Sequence, residues 1–287
     1  MRFKTRVTSA AFDDAVNQWR IETEGGDNIF AKYCVMALGC LSTPNLPHFE
    51  GLECFKGDTY HTGLWPHERV NFSGKRVGIV GTGSSAIQSI PVIAAEADHL
   101  TVFQRTANFS VPAWNGPLDA EATNAWKANY PELRARARAS RVGDIFENSE
   151  TSALDVSAEE REAVFEKRWQ QGSFNMLASF ADLITNRKAN DYAVQFVHKK
   201  IREQVKDPAV ADLLCPTDHP FGTKRLCVDT DYYKTFNRNN VSLVDVRTAP
   251  IEKVTTKGLK SDGKEYELDA IVFATGFDAM TGALLNI

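Results

Sequence analysis

A short glycine-rich segment carries the clearest chemical signal in this chain. It follows the apolar run Arg76–Val80 and precedes an apolar, helix-like stretch over residues 87–97. In such a turn the first glycine permits a sharp reversal, the second lets a diphosphate approach the backbone, and a small third residue lets helix and strand pack closely. The helix N-terminus then faces the phosphates. The spacing predicts a dinucleotide-binding turn made of Gly81, Thr82, Gly83, Ser84, Ser85 and Ala86.

The residues after the next strand indicate which dinucleotide binds. A site for NAD usually has a carboxylate there, on a ribose hydroxyl, whereas this chain has Gln104-Arg105-Thr106. Arginine suits a 2′-phosphate, because its planar and permanently charged group offers a fork of N–H donors. We therefore predict a preference for NADP, with Arg105 and Thr106 as contacts. The alternative is that Arg105 is an ordinary surface cation at a strand end.

The elements around this turn read as one strand–helix–strand unit. Residues 76–80, 87–97 and 100–103 alternate as strand, helix and strand, which predicts the start of a parallel sheet. Pro91 lies within the helix and should kink it or remove one backbone hydrogen bond. From about residue 118 to 210 the pattern is that of amphipathic helices, so we predict a helical insertion there.

Two distant segments repeat one design. Residues 33–39 and 270–276 are each an apolar run that ends at a glycine, and each follows alternating segments with turn residues that read as hairpins. We interpret both as buried strands of two related nucleotide-binding units. A chance likeness between two short apolar runs is the alternative.

The composition narrows the class of protein. Of the 287 residues, 43% are hydrophobic and 24% are charged, and the net charge is −4, which fits a globular protein with a buried core and does not favour nucleic acid as a partner. No run approaches the roughly 18 apolar residues of a membrane span, and residues 1–6 do not read as a secretory leader. We expect a cytoplasmic protein without a membrane partner. The five cysteines show no metal or disulfide spacing, so we predict no metal site.

The segment 55–66, called here the fingerprint segment, identifies a family. Its sequence contains Phe-x-Gly-x-x-x-His-x-x-x-Trp-Pro with every fixed position present, namely Phe55, Gly57, His61, Trp65 and Pro66. The sequence thereby resembles the Baeyer–Villiger monooxygenases. The likeness extends across nearly the whole chain to the phenylacetone and steroid monooxygenase branch, and includes residues 220–225 and 273–278.

The resemblance implies an α/β flavoprotein with two dinucleotide-binding domains. One is a Rossmann-like NADP domain with a helical insertion, and the other is an FAD domain of which this chain holds only parts. The implied boundaries are residues 1–45 for a first part of the FAD domain, 46–70 for a linker with the fingerprint segment, 71–249 for the NADP domain, and 250–287 for a return to the FAD domain.

The resemblance also implies the chemistry. NADPH reduces FAD, the reduced flavin takes up O2, and the resulting adduct attacks a ketone to give an ester or lactone. Arg225 matches the family's active-site arginine, which also contacts the cofactor and stabilises negative charge as a fixed cation. Lys224 matches a 2′-phosphate ligand, and the family connects His61 and Trp65 with domain movement. The alternatives without a functional role are that Lys224 and Arg225 are an exposed basic pair, and that His61 is a histidine packed in a loop.

Departures from the family leave other functions open. The family's first FAD motif, and the carboxylate that partners its active-site arginine, do not occur in this sequence, so we expect a partial chain that does not retain FAD alone. The alternatives are a non-catalytic NADP-binding module, a flavin monooxygenase that oxygenates nitrogen or sulfur, and a disulfide reductase. Trp65-Pro66 argues against the second, and the lack of a redox cysteine pair against the third. Neither the ketone nor the oligomeric state can be read from the residues.

Overall fold

A computed structural model describes residues 1–140, 143–145 and 147–287. The chain divides into two compact units, which are described separately. The smaller unit contains Met1–Pro47, His61–Trp65 and Thr275–Ile287, and the larger unit contains His48–Tyr60 and Pro66–Ala274.

Thirteen strands and six α-helices are assigned in the described ranges. The strands are β1 (Val7–Asp13), β2 (Gln18–Thr23), β3 (Asn28–Ala31), β4 (Asp58–His61), β5 (Arg76–Val80), β6 (His99–Gln104), β7 (Ser110–Pro112), β8 (Cys227–Asp229), β9 (Val241–Asp245), β10 (Ile251–Val254), β11 (Gly258–Ser261), β12 (Lys264–Glu267) and β13 (Ala270–Phe273). The helices are α1 (Ser84–Glu96), α2 (Ala120–Ala139), α3 (Ala158–Gln171), α4 (Arg187–Gln204), α5 (Pro208–Leu214) and α6 (Tyr232–Thr235).

A five-stranded sheet organises the larger unit, in the order β4-β13-β5-β6-β9. β13, β5, β6 and β9 run parallel, with Val272 opposite Ile79 and Ile79 opposite Val102. These side chains are fully buried, as expected for parallel strands that are covered on both faces. The predicted α/β class and the strand–helix–strand unit are confirmed.

The chain passes from one unit to the other just after β13, and the return of residues 250–287 to an FAD domain stays a prediction. The chain up to Ala274 lies in the larger unit and Thr275–Ile287 lies in the smaller one. The reason is that β13 pairs with β5, and its four residues are all buried. The fingerprint segment is also divided, because His61–Trp65 lies in the smaller unit and His48–Tyr60 in the larger.

Helix α1 begins earlier than the sequence pattern indicated, so that Ser84 and Ser85 form its first turn. Pro91 lies inside the helix, which continues to Glu96. Ala86, Ile87 and Ile90 are buried against the sheet. Helix and sheet share one hydrophobic core, and this core holds the glycine-rich turn at the carboxyl end of β5.

The predicted helical insertion contains α2 to α5. Ser157 and Glu160 form a reciprocal capping box at the start of α3, which satisfies two backbone N–H groups that a helix start leaves unpaired. Asp207 caps α5, and Pro208 occupies its first turn. Both helix starts carry residue types that favour the first turn of a helix.

The smaller unit contains the antiparallel sheet β1-β2-β3, in which the hairpin pairing predicted ahead of residues 33–39 is confirmed. The predicted buried strand at residues 33–39 is wrong, because these residues have no strand assignment, and Tyr33 and Val35 are 76% and 89% exposed. Residues 33–39 pair with no strand among the described residues, and an unpaired strand cannot satisfy its backbone groups.

The described residues contain neither a membrane-spanning helix nor a cluster of metal ligands. None of their helices is both long and apolar enough to cross a membrane. The same residues contain no group of three or more metal-ligating side chains.

Candidate functional site

The first glycine of the turn is required by its surroundings. Gly81 has a φ of 107°, a conformation that only glycine adopts readily. A Cβ atom at this position would lie 2.6 Å from the carbonyl oxygen of Ala274, which directly follows β13. The Gly81 N–H donates to the carbonyl of Phe103 at 3.0 Å. The turn therefore fits tightly between the ends of β13 and β6.

The second glycine opens the turn on its other side. A Cβ on Gly83 would have no atom within 4 Å, so this side of the backbone faces open space. No side chain caps the start of α1, and Ser84 and Ser85 are exposed there. The first N–H groups of α1 and the positive end of its dipole are thus open to an anion. Ala86 is fully buried, in keeping with a packing role for the third position.

Thr82 fixes the turn from within. Its side chain is buried, and its hydroxyl donates to the carbonyl of Thr106 at 2.7 Å. The side-chain amide of Asn108 donates to the carbonyl of Thr82 at 2.8 Å. These two bonds hold the turn against the segment that carries Arg105. The Thr82 hydroxyl is thus engaged within the protein, and Asn108, which sequence reasoning missed, supports the same contact.

The predicted 2′-phosphate residues are exposed cations. Arg105 directly follows β6 and Lys224 precedes β8, and within the described residues neither forms an ion pair. The hydrogen bond from His219 lowers the pKa of Asp218, and the charge of Lys224 lowers it further. An anion arriving at this surface would meet two cations that form no direct ion pair among the described residues, although the carboxylate of Asp218 partly offsets the charge of Lys224.

Phe109 connects the two cationic segments. Its ring lies 5.2 Å from that of His219 and 5.3 Å from that of Phe221, both in edge-to-face contacts. Its carbonyl accepts from the N–H of Cys227 at 3.0 Å. Residues 105–109 and 219–227 therefore lie side by side in the larger unit. No motif marks Phe109, since only tertiary packing gives it this place.

Arg225 is exposed, as its predicted role requires. Its guanidinium carbon lies 5.6 Å from the ring centroid of Phe174, which is within the range of a cation–π interaction. It forms no ion pair with the described residues. The guanidinium is held by an aromatic face, and its N–H donors remain available.

The fingerprint histidine has a structural environment in the smaller unit. His61 is buried, its Nδ1 accepts from the N–H of Gly63 at 3.0 Å, and its Nε2 lies 3.2 Å from the hydroxyl of Thr275. That hydroxyl donates its single proton to the carbonyl of Asn45 at 2.6 Å. It must therefore accept from His61, which assigns His61 as the neutral imidazole protonated on Nε2.

The other residues of the fingerprint segment are divided between the two units. Phe55 packs against a hydrophobic cluster of the larger unit, and Gly57 lies against the carbonyl of Asp269. Pro66 belongs to the larger unit and Trp65 to the smaller one. Thr275 is the partner that sequence reasoning missed, although the repeated Ala-x-Gly pattern had pointed to its position.

The cysteines do not support a redox pair. All five are free thiols. Burial raises the pKa of Cys215 and of Cys227 to about 11, and a thiol with so high a pKa is a poor nucleophile at neutral pH. This chemistry agrees with the argument against a disulfide reductase.

The chain is similar to several known monooxygenases. No family model matches it. Cyclohexanone 1,2-monooxygenase of an Acinetobacter species is 46% identical over 98% of this chain and 52% of its own length. Phenazine N-monooxygenase PhzNO1 of Lysobacter antibioticus is 42% identical over 99% of this chain and 52% of its own length. The chain spans about half the length of the curated relatives it matches.

Solved structures agree. An oxidised steroid monooxygenase bound to NADP superposes with a TM-score of 0.94 at 51% identity, over 99% of this chain and 55% of that chain. OTEMO in complex with FAD and NADP gives a TM-score of 0.97 at 40% identity, over 100% of this chain and 55% of that chain. The resemblance drawn from the fingerprint segment is confirmed.

Proposed function

Since the chain is homologous, over its whole length, to about half of a Baeyer–Villiger monooxygenase, we propose that its protein oxygenates a ketone with NADPH and O2. One oxygen atom of O2 enters between the carbonyl carbon and a neighbouring carbon, giving an ester or lactone. The other leaves as water, with two electrons from NADPH and one further proton. The observation that carries the proposal is the complete fingerprint segment within a chain-wide match.

The glycine-rich turn suits NADP. Its open helix start fits a diphosphate, and the unpaired cations beside it fit a 2′-phosphate. In this proposal Arg105, Thr106 and Lys224 hold the 2′-phosphate. A steroid monooxygenase structure that contains NADP supports the assignment. Among the described residues this is the one glycine-rich turn that leads into an α-helix, so we assign none of them to the diphosphate of FAD.

Arg225 supplies a fixed positive charge. Bound FAD would supply the activation of O2, and NADPH the electrons. The guanidinium of Arg225, supported by Phe174, would stabilise the negative charge that develops on oxygen during attack on the ketone. An arginine keeps its charge at every working pH, so this stabilisation does not depend on a protonation step.

The first experiment tests the nucleotide. Titration calorimetry of the full protein with NADP⁺ and NAD⁺ should show tighter binding of NADP⁺. Arg105→Ala should reduce that preference about ten-fold, since a charge-assisted hydrogen bond contributes about 1.5–3 kcal/mol. Arg238→Ala is the matched control, because Arg238 is an exposed arginine just before β9, at the opposite end of the sheet. Equal affinities in the unmutated protein would refute the NADP assignment.

The second experiment tests the reaction. The FAD-loaded full protein should consume NADPH in a ketone-dependent manner and convert cyclohexanone or cyclopentanone, which relatives are named for, into a lactone. Arg225→Ala should abolish lactone formation and largely retain NADP⁺ binding. Because one relative is a phenazine N-monooxygenase, phenazine serves as a second substrate. If phenazine is oxygenated and no ester or lactone forms from any ketone, the proposed activity is wrong and nitrogen oxygenation takes its place.

A further inference from the structure

A very short ladder joins the two cationic segments. β7 and β8 run parallel and pair over three positions, Ser110 with Cys227, Val111 with Val228 and Pro112 with Asp229. The segment that contains Arg105 leads into β7, and the segment that contains Lys224 leads into β8. The ladder therefore sets how far apart these two segments start. Two strands of this length have little stability of their own.

Buried polar contacts reinforce the ladder. Ser110 is completely buried and Asp229 is 8% exposed. The hydroxyl of Ser110 donates to Oδ2 of Asp229 at 2.5 Å, and the N–H of Tyr232 donates to Oδ1 at 3.0 Å. The N–H of Ser110 donates to the hydroxyl of Tyr233 at 3.2 Å. These bonds connect β7 directly with β8 and α6.

Such contacts are costly to disturb. Burial raises the pKa of Asp229, which means that the site disfavours the charged carboxylate, while the bond from Ser110 acts in the opposite direction. Removal of one partner would leave a buried polar group unsatisfied. None of these residues belongs to the predicted nucleotide site, and none has a role in the proposed reaction.

We propose that Ser110 and Asp229 are a positioning pair, which holds Arg105 and Lys224 at the separation that one 2′-phosphate requires. The inference rests on the proposed NADP site and deepens it. Charge-assisted hydrogen bonds depend steeply on donor–acceptor distance, so a loosened ladder weakens them without removing either cation. Helix α1 contacts the ladder through Gln88, whose side-chain amide donates to the carbonyl of Val228 at 3.2 Å. The proposed diphosphate contacts lie one turn away, at the start of α1 near Ser84 and Ser85, so we expect them to be retained.

The test compares two small probes that differ by one phosphate, 2′,5′-ADP and 5′-AMP. Calorimetry of the full protein should show tighter binding of 2′,5′-ADP. Ser110→Ala should reduce the ratio of the two affinities about three-fold or more, since part of a charge-assisted bond is lost. The affinity for 5′-AMP should stay unchanged, which a general loss of structure would not achieve.

Two further variants separate position from stability. Asp229→Asn keeps the size of the side chain and can bond to both partners, so it should retain the ratio, whereas Asp229→Ala should lower it. The matched control is Ser179→Ala, which removes another buried hydroxyl of the larger unit, bonded to the carbonyl of Met176 at 2.8 Å. It should leave the ratio unchanged.

The outcomes are distinguishable. If the unmutated protein binds both probes equally, the proposed NADP site fails, and this inference with it. If it prefers 2′,5′-ADP and Ser110→Ala keeps that preference, the positioning pair alone is refuted. An equal loss in Ser179→Ala would also refute it, because the effect would then follow stability rather than position.

Discussion

Two apolar stretches of similar sequence differ completely in structure. β13 is buried within a sheet, between β4 and β5, whereas residues 33–39 form no strand and expose Tyr33 and Val35. Both stretches end in Ala-x-Gly. An apolar run therefore has the capacity to become a strand, and its neighbours decide whether it does. β13 pairs with a strand on each side, whereas residues 33–39 pair with none among the described residues.

The largest expected effect tests this difference directly. Val272→Asp would place an unpaired carboxylate at a fully buried position of β13 and should destabilise the larger unit by about 4 kcal/mol or more. Val35→Asp changes a residue that is 89% exposed and should alter stability by less than about 0.5 kcal/mol. Urea unfolding followed by circular dichroism measures both.

A comparable loss of stability in the two variants would contradict the comparison. It would show that residues 33–39 are packed in the protein in solution. Val35→Thr then offers a finer control, because it keeps the shape of the side chain and adds only a hydroxyl group.

The sequence predicted the fold best where the pattern was longest. Strand, turn and helix over residues 76–103 follow from apolar periodicity together with glycine spacing, and both agree with the structure. The prediction of a strand at residues 33–39 was wrong, because a short apolar run carries no information about the strand with which it would pair. The contact between His61 and Thr275 spans 214 positions, and that of Asn108 with Thr82 spans 26. Such partners are set by tertiary packing, which no local pattern records.

A second comparison concerns glycines near the ends of these stretches. Gly81→Ala would combine a φ of 107° with a collision against the carbonyl of Ala274, just beyond β13. We expect a loss of about 2–3 kcal/mol in stability and weaker NADP⁺ binding. Gly39 also has a positive φ, 72°, but an added Cβ would meet only the movable hydroxyl of Ser42 at 3.2 Å. Gly39→Ala should cost about 1 kcal/mol. Thermal unfolding measures both losses of stability. Equal losses in the two variants would show that the backbone at the end of β13 moves to accommodate the added Cβ atom.

The residues at the centre of the two Ala-x-Gly sequences differ. The second has Thr275, whose hydroxyl bonds to His61 and Asn45, and the first has Leu38. Thr275→Val keeps the shape and loses both bonds, and should destabilise the smaller unit by about 1–2 kcal/mol. Thr275→Ser should retain most of that stability. Nitrogen-15 NMR of His61 should show the Nε2–H form in the unmutated protein and in Thr275→Ser. A mixture of tautomers in all three proteins would contradict the assignment.

The smallest expected effect concerns the carboxylate directly before β13. Asp269 accepts from the backbone N–H of Arg76 at 2.8 Å and from its guanidinium at 3.0 and 3.1 Å. Arg76 thereby lowers the pKa of Asp269. A lowered pKa in the folded state means that the stabilisation is present above the unfolded pKa of about 3.9, and is lost as the pH falls through the folded value.

Both side chains are about two-fifths exposed, so solvent screening should keep the contribution of this ion pair small. Asp269→Asn should lower the urea midpoint at pH 7, and the difference from the unmutated protein should shrink as the pH falls below about 4. Glu267 also accepts a hydrogen bond from Arg76, which lowers the pKa of Glu267 as well. Glu267→Gln is therefore measured alongside. A difference between Asp269→Asn and the unmutated protein that persists undiminished at low pH would mean that the charge of Asp269 does not stabilise the junction between β5 and β13. The shape of the side chain and its bond to the Arg76 N–H would then account for the effect.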